Sequence, residues 1–229
     1  MKTIALIPAR LESQRFPNKL IKKLAGVPII ARTYIAALNT KLFDEVYVVS
    51  GNDEIIELIK SMNGLTFKSR KIHQSGTDRI AEAANEIDHD IVVNLQGDEP
   101  FINIDSIDNL IASFQDSSVE MASLMTSFNS FDEIKNPNHV KVTVDKNNNA
   151  IFFSRLPIPL GESEINKFNR HIGVYAFRKN TLINFSSLNR SKNEISDNIE
   201  VNRAIDNSIP VKMIKIDFHG ISIDTEKDF

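Results

Sequence analysis

The sequence predicts an α/β protein: a mostly parallel central sheet flanked by helices, with a smaller antiparallel elaboration after about residue 120. Short apolar runs of strand length alternate through the first half with segments whose apolar residues recur at helical spacing, the pattern of βαβ units. In the second half the runs crowd together, and DKNNN at 145–149 joins two of them as a strong turn signal. Polar clusters also fall where strands end or helices begin, on the side where open α/β sheets hold their ligands.

Thr3 to Pro8 is an apolar run closed by proline, as expected of a buried parallel strand. Ile29 to Leu38 sets Ile29, Ile30, Tyr34, Ala37 and Leu38 near helical spacing. Glu45 to Val49 (EVYVV) is β-branched and aromatic, hence a second strand. Asp53 to Met62 follows as a helix through Ile55, Ile56, Leu58, Ile59 and Met62, and Leu65 to Lys68 is a third strand. Gly76 to Asn85 is a helix with Ser75 or Thr77 near its cap. Ile91 to Leu95 (IVVNL) is the next buried strand and Ile104 to Phe114 the helix after it. Val119 to Thr126, Val140 to Val144, Ala150 to Ser154, Ile172 to Phe177 and Val211 to Asp217 complete the strands. Ser186 to Asn198 is expected as a polar, mobile surface loop.

At 229 residues the chain is long enough for one sizeable core. No Pro/Gly/Ser-rich linker or internal repeat divides it, so one domain over 1–229 is expected. The net charge of −3 argues against a nucleic-acid binder, which is usually basic. Yet residues 1–25 hold six Lys/Arg against a single Glu, a local basicity that suits a small anionic ligand. With no cysteine there is no disulfide or thiolate site, which fits a reducing compartment. The first apolar stretch is too short for a signal peptide and no apolar run is long enough for a membrane span; a soluble, cytoplasmic protein is expected.

Three clusters carry candidate chemistry. Arg10, Arg15 and Lys19 follow the first strand; each is read either as a solvated side chain or as a phosphate ligand. Both standard glycine-rich phosphate loops are absent, so side chains would have to neutralise a polyphosphate. Gln74 to Arg79 (QSGTDR) opens a helix, and either caps it or offers its free N–H groups to a ligand. Gln96 to Pro100 (QGDEP) follows IVVNL and aims Asp98 and Glu99 at the ligand edge, where Mg²⁺ takes one or two carboxylates plus substrate phosphates. Asp224, after HGISI, is a second candidate carboxylate, or else a helix cap. The five histidines show no zinc-binding spacing, and His171 reads as structural on its own.

The segments IPARLESQRFPNKLIKKLAGVPII, HQSGTDRIAEAA, VVNLQGDEPFI, NPNHVKV, FFSRLPIP, RHIGVYAF and IDTEKDF come in this order over essentially the whole chain. In them the sequence resembles the 3-deoxy-manno-octulosonate (Kdo) cytidylyltransferase, or CMP-Kdo synthetase, family. R-x-x-S-x-R-x-P-x-K marks a broader group of sugar nucleotidyltransferases; the QSGTDR and QGDEP pair is much more specific. The resemblance implies a nucleotide-diphospho-sugar transferase-like fold, with 1–120 mainly binding nucleotide and 121–229 mainly binding sugar and forming a homodimer. It implies that CTP and Kdo give CMP-Kdo and diphosphate with Mg²⁺, for lipopolysaccharide biosynthesis. Arg10, Ser13, Arg15 and Lys19 would hold the CTP phosphates, and Ser75, Gly76, Thr77, Arg79 and Gln96 would surround the cytidine. Asp98 and Asp224 would hold the metal, so that Arg10, Lys19, Asp98 and Asp224 form the catalytic set. Arg155, His171, Tyr175, Glu200 and Asn202 would line the sugar-acid side. No dedicated general base stands out.

Residues 186–207 depart from the family's L-E-x-x-E-x-L-E-Q-L-R pattern; only Ile199, Glu200 and Arg203 align convincingly. A modified substrate such as 8-amino-Kdo therefore stays open. The rival readings are a CMP-sialic acid synthetase-like enzyme, whose phosphate loop LESQRFPNK does not resemble, and a non-catalytic nucleotide-binding module on the same fold.

Overall fold

A computed structural model describes residues 1–12, 16–156 and 168–217. Strand β1 (Thr3–Ala9) is followed by a two-residue hairpin, β2 (Lys23–Leu24) and β3 (Val27–Pro28), and by helix α1 (Ile29–Thr40). Then come β4 (Glu45–Ser50), α2 (Asp53–Lys60), β5 (Leu65–Lys68), α3 (Gly76–Glu86), β6 (Ile91–Asn94) and α4 (Ile104–Ala112). Next are β7 (Met121–Ser127), α5 (Phe131–Lys135), β8 (Lys141–Val144), β9 (Ala150–Ser154) and β10 (Asn169–Arg178). The described part closes with α6 (Lys179–Ser187), α7 (Lys192–Asp197), α8 (Asn202–Asp206) and β11 (Val211–Lys215). Among the described residues two compact units share these elements: Met1–Asp108 with Ala176–Ser186, and Asn109–Tyr175 with 187–217.

In the first unit the strands run β6-β1-β4-β5, all parallel. Ile4, Ala5, Leu6 and Ile7 of β1 are fully buried, which explains why that strand is apolar on both faces. Each such Leu or Ile is worth about 1.5–3 kcal/mol relative to exposure. The chain steps outward from β1 through β4 to β5, then returns to the opposite side of β1 as β6. Between β1 and β6 the strand order therefore reverses, and the crevice at their carboxyl ends is where this architecture holds ligands.

In the second unit β7 pairs in parallel with β11, while β8 pairs antiparallel with β10 and β9. The expected β8–β9 hairpin turns at Asp145, whose Oδ1 accepts from the backbone N–H of Asn147 and Asn149, each at 2.8 Å. Asn148 sits in the left-handed region at φ 58°, a conformation asparagine tolerates.

Two expectations are corrected. The strand placed from Val119 begins at Met121, because Asp116 captures Ser118 N at 2.9 Å and Val119 N closes on Asp116 O at 3.1 Å. The stretch 186–198, expected as a mobile surface loop, instead ends α6 and forms α7. A capping box starts α7: Ser191 Oγ accepts from Glu194 N, and the Glu194 carboxylate accepts from Ser191 N. Glu194 is then buried, its carboxylate gripped through both oxygens by Arg203. Charges that pair inward leave no apolar periodicity, which is why the segment read as solvent-facing.

Candidate active site

In the first unit the three sequence clusters converge on Pro8, near the end of β1. A Cβ on Gly76 would come within 3.1 Å of Pro8 Cγ, and one on Gly97 within 3.1 Å of Pro8 O. Both positions therefore hold glycine so that the start of α3 and the loop after β6 can close on β1. Thr33 Oγ1 on α1 fixes the same loop by donating to Gly97 O at 2.9 Å.

Arg10 emerges exposed just past β1. Arg79, half-buried, donates from Nη1 to the O of Ala9, the residue before Arg10, at 2.6 Å. Burial lowers the Arg79 pKa, and the neighbouring Arg10 charge lowers it further, so two cations are crowded where β1 ends. Lys19 starts a 3₁₀ turn, Lys19–Ile21, anchored by the buried Leu20. Its ammonium forms an ion pair with Asp98, which follows β6. Ser13, Arg15 and Asp224 lie outside the described residues.

Ser75 caps α3, its side chain accepting from Asp78 N at 3.0 Å. Gly76 opens the helix, and Thr77 is buried with Oγ1 accepting from Asn94 Nδ2 at 3.1 Å. Gln96, partly exposed, accepts a backbone bond from Glu99 N at 3.1 Å. The segment leading into Ser75 is itself tied down by Glu82 of α3. That carboxylate accepts from Ser69 Oγ at 2.7 Å and Arg70 N at 3.0 Å, and meets His73 Nε2 at 2.7 Å. Burial works to raise the Glu82 carboxyl, but the bonds from His73, Ser69 and Arg70 outweigh it and bring it down to about 2.

In the second unit His171 of β10 is buried and sits between aromatic rings, 5.1 Å from Phe153 and 5.4 Å from Tyr175 by centroids. Its Nε2 meets Ser123 Oγ at 3.0 Å. Burial first, and the Arg155 charge second, push its pKa down to about 3, so the imidazole is neutral at physiological pH. Arg155, just past β9, donates from Nη1 to Pro137 O at 3.2 Å. Asn202 is buried and its Nδ2 reaches Phe153 O at 3.5 Å, while Glu200 Oε1 lies 3.7 Å from Arg203 Nη2. Phe153 thus links His171 and Asn202, a role its place in an alternating strand did not announce.

The sequence model of the cytidylyltransferase family matches residues 4–215. The 3-deoxy-manno-octulosonate cytidylyltransferase of Flavobacterium johnsoniae is 45% identical, the match covering 100% of this chain and 96% of that protein. The chain belongs to the 3-deoxy-manno-octulosonate cytidylyltransferase family. A protein of the same name from Thermodesulfovibrio yellowstonii is 37% identical over 100% of this chain and 95% of its own length. A solved CMP:2-keto-3-deoxy-manno-octonic acid synthetase complexed with CTP superposes with a TM-score of 0.93 at 32% identity, covering 99% of this chain and 95% of that one. The 4-diphosphocytidyl-2C-methyl-D-erythritol synthase of Anaerococcus prevotii, at 15% identity and a TM-score of 0.64, shares the fold. As a member of this cytidylyltransferase family the chain is a nucleotidyltransferase.

Among the described residues no group of three or more His, Asp or Glu side chains is placed to hold a metal. A divalent cation such as Mg²⁺ takes one or two carboxylates and fills its shell with phosphates and water. Asp98, partly exposed beside the cations of the β1–β6 crevice, is a donor of that kind. Sequence reasoning missed Glu82, Asn94, Ser123, Lys141 and Phe153. Their contacts join separate elements at spacings from five to fifty-one residues, and no local motif marks them.

Proposed function

We propose that the protein transfers the cytidylyl group of CTP to the anomeric hydroxyl of Kdo, releasing diphosphate, in the cytoplasmic supply of activated sugar for lipopolysaccharide. The observation that carries this is the closure of the QSGTDR and QGDEP loops onto Pro8 beside Arg10 and Lys19, in a chain of the Kdo cytidylyltransferase family. Arg10, Ser13, Arg15 and Lys19 receive the triphosphate. Ser75, Gly76, Thr77, Arg79 and Gln96 surround the cytidine, and Arg155, His171, Tyr175, Glu200 and Asn202 receive the sugar acid. Residues 1–120 then serve mainly the nucleotide and 121–229 mainly the sugar, within one domain.

The sugar hydroxyl oxygen attacks the α-phosphorus in line. A new O–P bond forms as the bond to the β-phosphate oxygen breaks; diphosphate leaves and the hydroxyl proton is released to solvent. Such chemistry depends on positioning and on charge stabilisation. Lys19 and Asp98 neutralise one another, and a bound triphosphate would offer the Lys19 ammonium a new counter-charge, leaving the Asp98 carboxylate available as a ligand. Lys19 and Arg10 then balance the charge that builds on the departing diphosphate. Asp98 and Asp224 would hold Mg²⁺, which supplies Lewis-acid polarisation of the phosphate. The buried Thr77 and the Glu82-bound loop fix the α3 N-terminus, so the positive end of its dipole is offered to the nucleotide without reorganisation. His171, neutral and wedged between rings, serves as a fixed hydrogen-bonding wall rather than a proton carrier.

Self-association through the later strands as a homodimer belongs to the same proposal. It is supported by β9, which presents Ile151 and Phe152 at 57% and 51% exposure beside Leu156 at 66%. The test of function is diphosphate release from CTP, Mg²⁺ and Kdo, run in parallel with 8-amino-Kdo and sialic acid. Turnover with Kdo supports the proposal. CTP binding without product from any acid points to a non-catalytic module and rejects it.

A further inference from the structure

Lys141 opens β8 and has no part in the mechanism above. It is 1% exposed and is among the largest fully buried side chains of the protein. An ammonium withdrawn from water is costly unless an opposite charge accompanies it, and fully buried lysines are almost always paired. This one meets no carboxylate among the described residues. Its Nζ donates instead to two backbone carbonyls, Arg155 O at 2.9 Å and Asn136 O at 3.1 Å.

Those bonds join two segments. Lys141 lies opposite Ser154 in the β8–β9 register, so its ammonium reaches the next residue, Arg155, as the chain leaves β9. The Arg155 guanidinium closes the circuit by donating to Pro137 O, adjacent to Asn136. Two cations, neither ion-paired to an acid among the described residues, are thereby fixed near one another on the second unit. Their neighbours respond to the field. The Lys141 pKa is lowered by burial and then by Arg155, and that of His139 by burial, with Arg170 and Lys141 adding to it. A methionine of similar length would fill the space without the cost of burying charge, so packing does not account for a lysine here.

We propose that Lys141 is a positioning residue for the sugar acid: its buried ammonium ties Arg155 to the Asn136–Pro137 turn and sets a second positive charge behind the guanidinium that meets the substrate carboxylate. The proposal rests on the cytidylyltransferase reading and on Arg155 belonging to the sugar side. It adds that the fixed, uncompensated charge is completed by the acid of the substrate.

Lys141→Met and Lys141→Gln test it in the full-length enzyme, by steady-state kinetics at several salt concentrations. A hydrogen bond to a charged group lost from the Arg155 anchor predicts a KM for Kdo raised about tenfold or more. The KM for CTP should be unchanged, and the KM for Kdo should depend less on salt than in the wild type. Because KM does not depend on the amount of active enzyme, partial misfolding does not mask the result. An unchanged KM for Kdo, or an equal rise in both KM values, overturns the proposal. If neither variant yields folded protein, lysine is a scaffold residue and the proposal is likewise overturned. A wild type that releases no diphosphate from CTP and Kdo rejects the underlying function instead, which keeps the two failures distinct.

Discussion

Replacing Arg203 by methionine should expose how segment 186–207 is held. Arg203 and Glu194 have side chains only 2% and 3% exposed, and they meet through two bonds, Nε–Oε2 at 2.9 Å and Nη2–Oε1 at 2.8 Å. Removing one partner of such a buried pair leaves an uncompensated charge and costs about 3–5 kcal/mol. After Arg203→Met the Glu194 carboxylate keeps Arg190 Nε at 3.0 Å, on a side chain 40% exposed, and Ser191 N at 3.3 Å. Those survivors place the expected loss near the lower end, about 3 kcal/mol, or roughly 6–12 °C in Tm for a chain of this size. Urea and thermal unfolding followed by circular dichroism at neutral pH would measure it. The double variant Glu194→Gln/Arg203→Met should recover part of the loss, because the Glu194 charge is then no longer left buried without its partner; Glu200, 3.7 Å from Arg203, loses that neighbour in both variants. Burial works to raise the Glu194 carboxyl, but the Arg203 bond and charge outweigh it and hold it below 4.5. Its contribution is therefore present above 4.5 and fades as pH falls below it, so the gap between wild type and Arg203→Met should narrow in acid. A loss under about 1 kcal/mol, or a double variant no better than the single, would refute the reasoning.

Asp98→Asn keeps the shape of the side chain but removes its charge, and should lower kcat by about 100-fold or more while leaving the circular dichroism spectrum unchanged. A drop of less than about tenfold would remove Asp98 from the catalytic set. Glu82, whose folded carboxyl sits at about 2 against an ordinary 4.5, contributes stability that is full above 4.5 and lost as pH falls towards 2. Urea midpoints of wild type and Glu82→Gln should therefore converge between about pH 5 and about pH 2; parallel curves would show that Glu82 does not carry this linkage.

The parallel half of the fold was legible because β1, β4 and β6 are apolar runs set between segments of helical period, and burial on both faces demands that composition. The Asp145 turn was legible because asparagine and aspartate mark turns by bonding their own backbone. Helix α7 was not, although Ser191 and Glu194 form the S-x-x-E signature of a capping box. With Glu194 facing inward to an arginine nine residues away, hydropathy had nothing periodic to show. Among the candidate site residues, the basic turn after β1 and the QSGTDR and QGDEP clusters were proposed from composition and position at strand ends. The supports beneath them were not. Asn94 reaches Thr77 across seventeen residues and Lys141 reaches Arg155 across fourteen, and neither spacing repeats along the chain.

By itself the sequence determined the alternation of strands and helices, the family, and the loops in which charged and hydroxyl side chains gather, since local propensity and motif spacing are written along the chain. Tertiary structure alone decided which of those groups meet. The pairing of Lys19 with Asp98 spans seventy-nine residues, and Gly76 and Gly97 close on one proline. Glu194 and Lys141 are polar groups enclosed by the fold. Burying such a group is tolerated only where packing brings it partners, a guanidinium for Glu194 and two backbone carbonyls for Lys141, and hydropathy along the chain does not show them.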